Sequence, residues 1–331
     1  MTHRERYLDY AKGVAILAML LSHTMFWDNP IRTYISSFHM QFFFLVCGIL
    51  FHKKHGDKPV QIQGIKTALN KRIRQLGVPY LVFCVLLTAF YTALAPSGIA
   101  QMVHRFINIV TLRGIDSLWF IPIYFFAEML MYLVSLSTRW RVIGGSLSAV
   151  TVITVCLLSG QIPENPYLQM GFRILIGFSF VWLGRILEHY RLFERLPLAA
   201  TALLLVIGGV LSQINGFSAM GSLEINNGIL FFFNAAITSV SILSLCKALE
   251  RTKRFSGNLL TLFGINTIVV LCTNNLLIES IRILDYKITG NWLLTHGLLG
   301  CFVFWLILIA FEALLIRLSE GRLGALFGRA V

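Results

Sequence analysis

Apolar stretches long enough to cross a bilayer alternate with short polar segments along almost the whole chain. Ten can be laid out, at about 8–27, 35–51, 76–95, 117–137, 142–159, 170–188, 197–214, 226–246, 258–280 and 293–316. Each predicts a transmembrane helix, so the expected fold is all-α, a polytopic bundle of about ten helices. A cleaved signal peptide is the rival reading of the first stretch, which follows Arg4 and Arg6. That run is too long, no small-x-small cleavage site follows Trp27, and a second apolar stretch comes at once. No repeat, low-complexity tract or dividing linker interrupts the pattern, so residues 1–331 are expected to form a single domain.

Composition agrees. Of 331 residues 56% are hydrophobic and 13% charged, where a soluble domain carries about 25% charged residues. The net charge of +13 raises nucleic acid as a partner, but its distribution argues against one. With the N-terminus inside, 21 of the 28 Lys and Arg fall in the cytoplasmic segments and five outside, at Arg32, Arg105, Arg113, Arg282 and Lys287. Lys12 and Arg173 lie within spans. This asymmetry follows the positive-inside rule and puts both termini in the cytoplasm. The excess charge is a topology signal, and no nucleic-acid partner is expected. All six cysteines fall inside the predicted spans, and no Cys/His set has zinc-like spacing. Neither a structural disulfide nor a bound metal is expected.

The longest cytoplasmic segment, 52–75, holds Ile62, Ile65, Leu69, Ile73 and Leu76 at helical spacing among basic residues. It predicts an amphipathic helix on the membrane surface, its cations facing lipid or forming a rim for the phosphates of a nucleotide-bearing cofactor. The outer loops are short and moderately polar, the longest at 96–116 beginning Pro96-Ser97-Gly98. With no external domain, any chemistry has to use the bundle.

The first span carries the candidate chemistry. Lys12 and His23 are separated by ten residues, which on a helix puts them within about 20° on one face and about 16 Å apart along the axis. Ionisable groups in hydrocarbon face a cavity or a partner. Taken singly, Lys12 could snorkel to the inner headgroups and His23 could make a helix–helix hydrogen bond. Together they suggest a polar path, with a neutral imidazole near the outer side able to act as general base. His39 enters the second span near the same outer level, as a second catalytic candidate or as part of an interfacial belt. Glu128 lies mid-span and Arg173 near an outer end. A structural ion pair is the default for each. Otherwise Glu128 lines the cavity near Lys12, and Arg173 steadies a carbonyl or acceptor near His23. Trp119, beside Phe120, is either a belt residue or a sugar-stacking face.

Asp9-Tyr10-Ala11-Lys12-Gly13, the spacing to His23, and Phe42-Phe43-Phe44 followed by Cys47-Gly48 together resemble the acyltransferase-3 family of membrane acyltransferases. Ser37-Phe38-His39-Met40 through Phe44 is similar to the branch grouped with fucose 4-O-acetylase-like proteins. Arg72-Ile73-Arg74-Gln75-Leu76-Gly77-Val78-Pro79-Tyr80, Ser117-Leu118-Trp119-Phe120-Ile121-Pro122, Arg173 with Gly184, and Gly264-Ile265-Asn266-Thr267 resemble further motifs in the family's order. Two departures stand out. Cys47 replaces the family's Ser, and Thr273-Asn274-Asn275 stands where a His is frequent.

The resemblance implies an O-acyltransferase, most simply an O-acetyltransferase of a bacterial cytoplasmic membrane. Its donor would be cytoplasmic acetyl-CoA, and its acceptor a hydroxyl of a cell-surface glycan or lipid-linked precursor. His23 would be base or transient acyl carrier, with His39 beside it. Lys12, Lys71, Arg72 and Arg74 would hold the donor, and Trp119, Glu128 and Arg173 the acceptor. Membrane lipids surround the bundle, and homo-oligomerisation is left open. The alternative is a transporter or flippase of a lipid-linked sugar, with Lys12, His23, Glu128 and Arg173 along its path. A scaffold or sensor that has lost activity is a third reading.

Overall fold

The computed structural model describes residues 5–94, 98–252 and 256–329. Arg4, Pro96, Ser97, Lys253 and Arg254, which the sequence reading used, lie outside the described residues. Helix α1 spans Arg6–Thr24, α2 Pro30–Ser36, α3 His39–His55 and α4 Ile62–Arg72. A widened π turn at Ile73–Gly77 leads into α5 (Val78–Leu94), then α6 (Ile99–Val110) and, past a 3₁₀ turn at Asp116–Trp119, α7 (Phe120–Val134). Next come α8 (Trp140–Leu157), α9 (Pro166–Tyr190), α10 (Leu198–Asn215) and α11 (Gly228–Arg251). They are followed by α12 (Asn258–Ile265), α13 (Thr267–Thr289), α14 (Gly297–Leu318) and a 3₁₀ segment at Arg322–Phe327.

Among the described residues nine stretches are long and apolar enough to cross a membrane, from Pro30–His55 to Gly297–Leu318. They account for nine of the ten expected spans. The tenth is α1, which Asp9, Lys12 and His23 take below that measure. The protein is therefore an all-α polytopic membrane protein.

Two segments differ from expectation. The amphipathic helix expected in 52–75 does not stand apart, because α4 runs through the π turn into α5 as one stretch, Ile62–Leu94. Pro79 has no N–H for the carbonyl of Gln75 and its ring crowds that carbonyl. The wider turn just upstream absorbs the mismatch without ending the helix. The outer segment expected to be a moderately polar loop contains α6. Ile99, Met102, Val103, Phe106, Ile107 and Val110 recur at helical spacing on one exposed face, the pattern of a helix lying in a lipid interface. At 12 residues it is too short to read as a span. The Tyr80 hydroxyl ties it to α5 by donating to the carbonyl of Ile109 at 2.9 Å.

The chain groups into two compact units. The first comprises Met1–Ser22, Trp27–Ile65 and Phe126–Ile265. Its most extensive pairing is α3 with α9, made close by two glycines. A Cβ on Gly48 would overlap the carbonyl oxygen of Val181, and one on Gly184 that of Leu45. The α1–α12 crossing repeats the device, with Gly13 against the carbonyl of Leu260 and Gly264 against that of Asp9. Lipid offers apolar side chains as good a solvent as another helix does. Close backbone approach, with its dense dispersion contacts, is therefore what holds such helices together.

The second unit comprises His23–Phe26, Lys66–Phe125 and Asn266–Val331. Here α13 packs on α5 and α14, and Phe304 and Leu308 are fully buried. Thr24 and Cys301 bond reciprocally. The Thr24 hydroxyl donates to the Cys301 carbonyl at 3.3 Å and the Cys301 thiol to the Thr24 carbonyl at 3.0 Å.

Candidate active site

Five cations at the charge-derived inner end of the first unit, Lys12, Lys53, Arg141, Arg185 and Lys247, have carboxylate partners. Lys12 Nζ lies 3.0 Å from Asp9 Oδ1, one helical turn away. Lys53 bridges Glu188 at 2.7 Å and Glu5 at 2.9 Å, joining α3, α9 and the start of α1. Lys247 meets Glu250 at 3.1 Å and sits over the Tyr7 ring. Asp9 offsets the charge of Lys12, which therefore contributes N–H donors more than net positive potential.

Asp57, just past α3, is the densest of these nodes. It accepts from Arg185 at 2.5 Å and His189 Nδ1 at 2.9 Å, with Arg141 at 3.5 Å. The Arg185 guanidinium also lies over Trp140 and Trp182, 4.4 and 5.1 Å from their ring centres. Burial raises the Asp57 carboxyl, but the Arg185 bond and the charges of His189, Arg141 and Arg185 outweigh it and hold it below the usual carboxylate range. A depressed folded pKa stabilises above the unfolded value, near 3.8, and loses that effect as pH falls through the folded one. Asp57→Asn is therefore expected to lower the thermal midpoint at pH 7, and the gap from wild type should narrow below about pH 4. Midpoints from pH 7 to 3 check this, and a constant gap would contradict it.

His52, Asp57 and His189 each bring a ligand atom to within 4.8 Å of the others. A divalent cation could be held there, although no metal site was expected. Arg185 and Arg141 on the same carboxylate oppose one electrostatically.

In the second unit the basic stretch is arranged differently. Arg72 Nη1 donates to Gln75 Oε1 at 3.2 Å across the π turn. Arg74 Nη2 donates to a backbone carbonyl, that of Arg329, at 3.2 Å. Among the described residues no carboxylate lies within ion-pair distance of Lys71 or Arg74, both exposed. The same unit holds His23, half-buried in the last turn of α1, and Trp119, half-buried and edge-on to Phe120. Just before Trp119, the Ser117 hydroxyl donates to the carbonyl of Leu271 at 3.1 Å and accepts from Asn275 Nδ2 at 3.3 Å. Asn274 spends its amide N–H on the carbonyls of Val270 and Leu271, and among the described residues its buried Oδ1 has no donor. The two asparagines that stand in place of the frequent His thus border Ser117.

The remaining candidates belong to the first unit. His39 is buried, and its Nδ1–H donates to the carbonyl of Ile35 at 2.8 Å, which places the basic lone pair on Nε2. Glu128 is buried in α7. Arg173 is half-buried in α9, with Gln169 Oε1 3.5 Å from its guanidinium. Lys12 joins this set and not that of His23, although one continuous helix carries both.

Glu312, not among the candidates, is fully buried in α14 and accepts from the Thr273 hydroxyl at 2.8 Å. The rule that marks Glu128 marks it equally, as an acidic residue in an otherwise apolar span. Ser117 and the Asp57 node carried no such signal, since each owes its setting to contacts distant in sequence.

A family model described as an acyltransferase domain matches residues 5–312. No curated protein and no solved structure matches the chain.

Proposed function

Since the chain belongs to the acyltransferase-3 family and is a membrane acyltransferase, we propose that it is an O-acetyltransferase drawing on cytoplasmic acetyl-CoA. Its acceptor is a hydroxyl of a cell-surface glycan or lipid-linked precursor, and its home a bacterial cytoplasmic membrane. One observation carries the donor assignment. Lys12, Lys53, Lys247, Arg141 and Arg185 in the first unit are spent on carboxylates, whereas Lys71 and Arg74 in the second unit meet none among the described residues. Uncompensated cations around a helical turn suit phosphate oxygens.

With the phosphates at Lys71, Arg72 and Arg74, the pantetheine arm carries the thioester towards His23 of the same unit, and Lys12 lies further down the helix that carries His23. The rise of α1 between them, about 16 Å, is comparable to that arm. His23 takes the proton of the acceptor hydroxyl, whose oxygen attacks the thioester carbonyl; the C–S bond breaks and the CoA thiolate takes a proton. Alternatively the imidazole carries the acetyl group for one step before the hydroxyl receives it. Within the second unit Trp119 offers a face for a sugar ring; within the first, His39 Nε2 offers a base and Glu128 and Arg173 polar contacts for an acceptor.

Mass spectrometry of the host's surface polysaccharide, with and without this protein, tests the reading. Loss of acetyl increments on deletion is expected. An unchanged polysaccharide would contradict it, and movement of a lipid-linked sugar without acyl transfer would favour a flippase.

A further inference from the structure

The segment after α14 folds back onto the basic stretch. Gly328, at φ +69° in the left-handed region, ends the 3₁₀ segment Arg322–Phe327. Phe327 packs on Phe83 with ring centres 5.0 Å apart. Gly328 passes so close to the π turn that a Cβ would overlap the carbonyl of Arg74 and crowd the Cα of Gln75. Arg329 comes next. Its carbonyl accepts from Arg74 Nη2 at 3.2 Å, its Nη1 donates to the carbonyl of Ser319 at 3.1 Å, and its Nη2 donates to Asn266 Oδ1.

Among the described residues every acceptor of the Arg329 guanidinium is neutral, and no carboxylate is within ion-pair distance of Arg74 or Arg329. The Arg74 guanidinium is thus fastened to the carbonyl of Arg329 and the Arg329 guanidinium to Ser319 and Asn266, on the segment that lies against the π turn. Gathering like charges is unfavourable unless an anion completes the set. A guanidinium whose position is fixed by two hydrogen bonds still has N–H donors to offer. Asn266 is the Asn of the Gly-Ile-Asn-Thr motif, and Arg329 lies beyond the stretch that the family model matches.

We infer that Arg329, held by Asn266 and Ser319, is a further phosphate-binding residue of the donor site, completing with Lys71, Arg72 and Arg74 a cradle for the phosphates of a CoA-type thioester. This rests on the donor-site reading given above. The 319–329 segment is then part of the site, and Gly328 is there because only glycine lets the backbone lie against the π turn.

The test is calorimetric binding of CoA to the full chain in an uncharged detergent. Arg329→Ala should weaken CoA binding about tenfold or more and leave binding of phosphate-free pantetheine unchanged. Arg329→Lys should fall between the two. Arg329→Gln, which removes the charge but keeps a side-chain N–H donor, keeps the test valid if the alanine variant does not fold, and should weaken CoA as much as alanine does. CoA affinity unchanged in both Arg329→Ala and Arg329→Gln would overturn the proposal, as would an equal loss for CoA and pantetheine. If Arg74→Ala also left CoA binding intact, the donor-site reading itself would fall. A second arm adds phosphatidylglycerol. Should that lipid bind in an Arg329-dependent way while CoA does not, the cradle belongs to a lipid headgroup and the proposal fails.

Discussion

Replacing His23 with alanine is expected to remove acetyl groups from the surface glycan while leaving the protein folded in the membrane. A positioned general base is worth about 10²–10⁴ in rate, and if the imidazole carries the acetyl group the loss is total. The binding cations sit elsewhere, so CoA should bind the variant as it binds wild type. The expected result is glycan acetylation at background with unchanged CoA affinity and unchanged elution in detergent. Retained acetylation would remove His23 from the reaction. His39→Ala is expected to cost less, because its Nδ1 is committed to the carbonyl of Ile35 and part of its role is to shape the start of α3.

The second large effect falls on packing. Gly184→Leu should prevent the first unit from forming, because its side chain would begin inside the carbonyl of Leu45, which belongs to a neighbouring helix and cannot rotate away. Overpacking a core with flexible neighbours costs about 1–3 kcal/mol, and here the obstacle is backbone. Separating α3 from α9 enough to admit Leu would also undo the matching approach at Gly48, where the carbonyl of Val181 leaves no room for a Cβ. Gly184→Leu and Gly48→Leu should each give aggregated protein on size-exclusion chromatography in detergent. Leucine at Gly209, where a Cβ meets nothing within 4 Å, should behave as wild type. Monodisperse protein from the Gly184 variant would show that the α3–α9 contact is not the constraint it is taken to be.

What could be read from the chain alone follows from physical range. The spans were legible because each is a continuous apolar run whose length the bilayer dictates. The Asp9–Lys12 pair was equally legible, since the two lie one turn apart, yet Lys12 draws attention first as a cation in hydrocarbon. The α6 helix was missed because its apolar face is broken up by polar residues at single-residue scale and shows only at helical period. Position 328 reads as an ordinary glycine until its carbonyl neighbour, 254 residues earlier at Arg74, is known. Arg329 likewise carries no local signal, because what matters is which acceptors it finds, and those are Ser319 and Asn266. Asp57 is the same case in the first unit. An exposed loop residue by sequence, it holds α3, α8 and α9 through Arg185, His189 and Arg141.

The central claim is that an acetyl group passes from CoA on the inner side to a hydroxyl on the outer side while CoA stays behind. Right-side-out membrane vesicles from the host, loaded with acetyl-CoA labelled in both the acetyl and the adenine, test this most directly. Acetyl label should appear in external polysaccharide, adenine label should remain inside, and vesicles bearing the His23→Ala protein should show neither transfer nor leakage. Adenine label outside, or equal acetyl transfer in the His23→Ala vesicles, would contradict it.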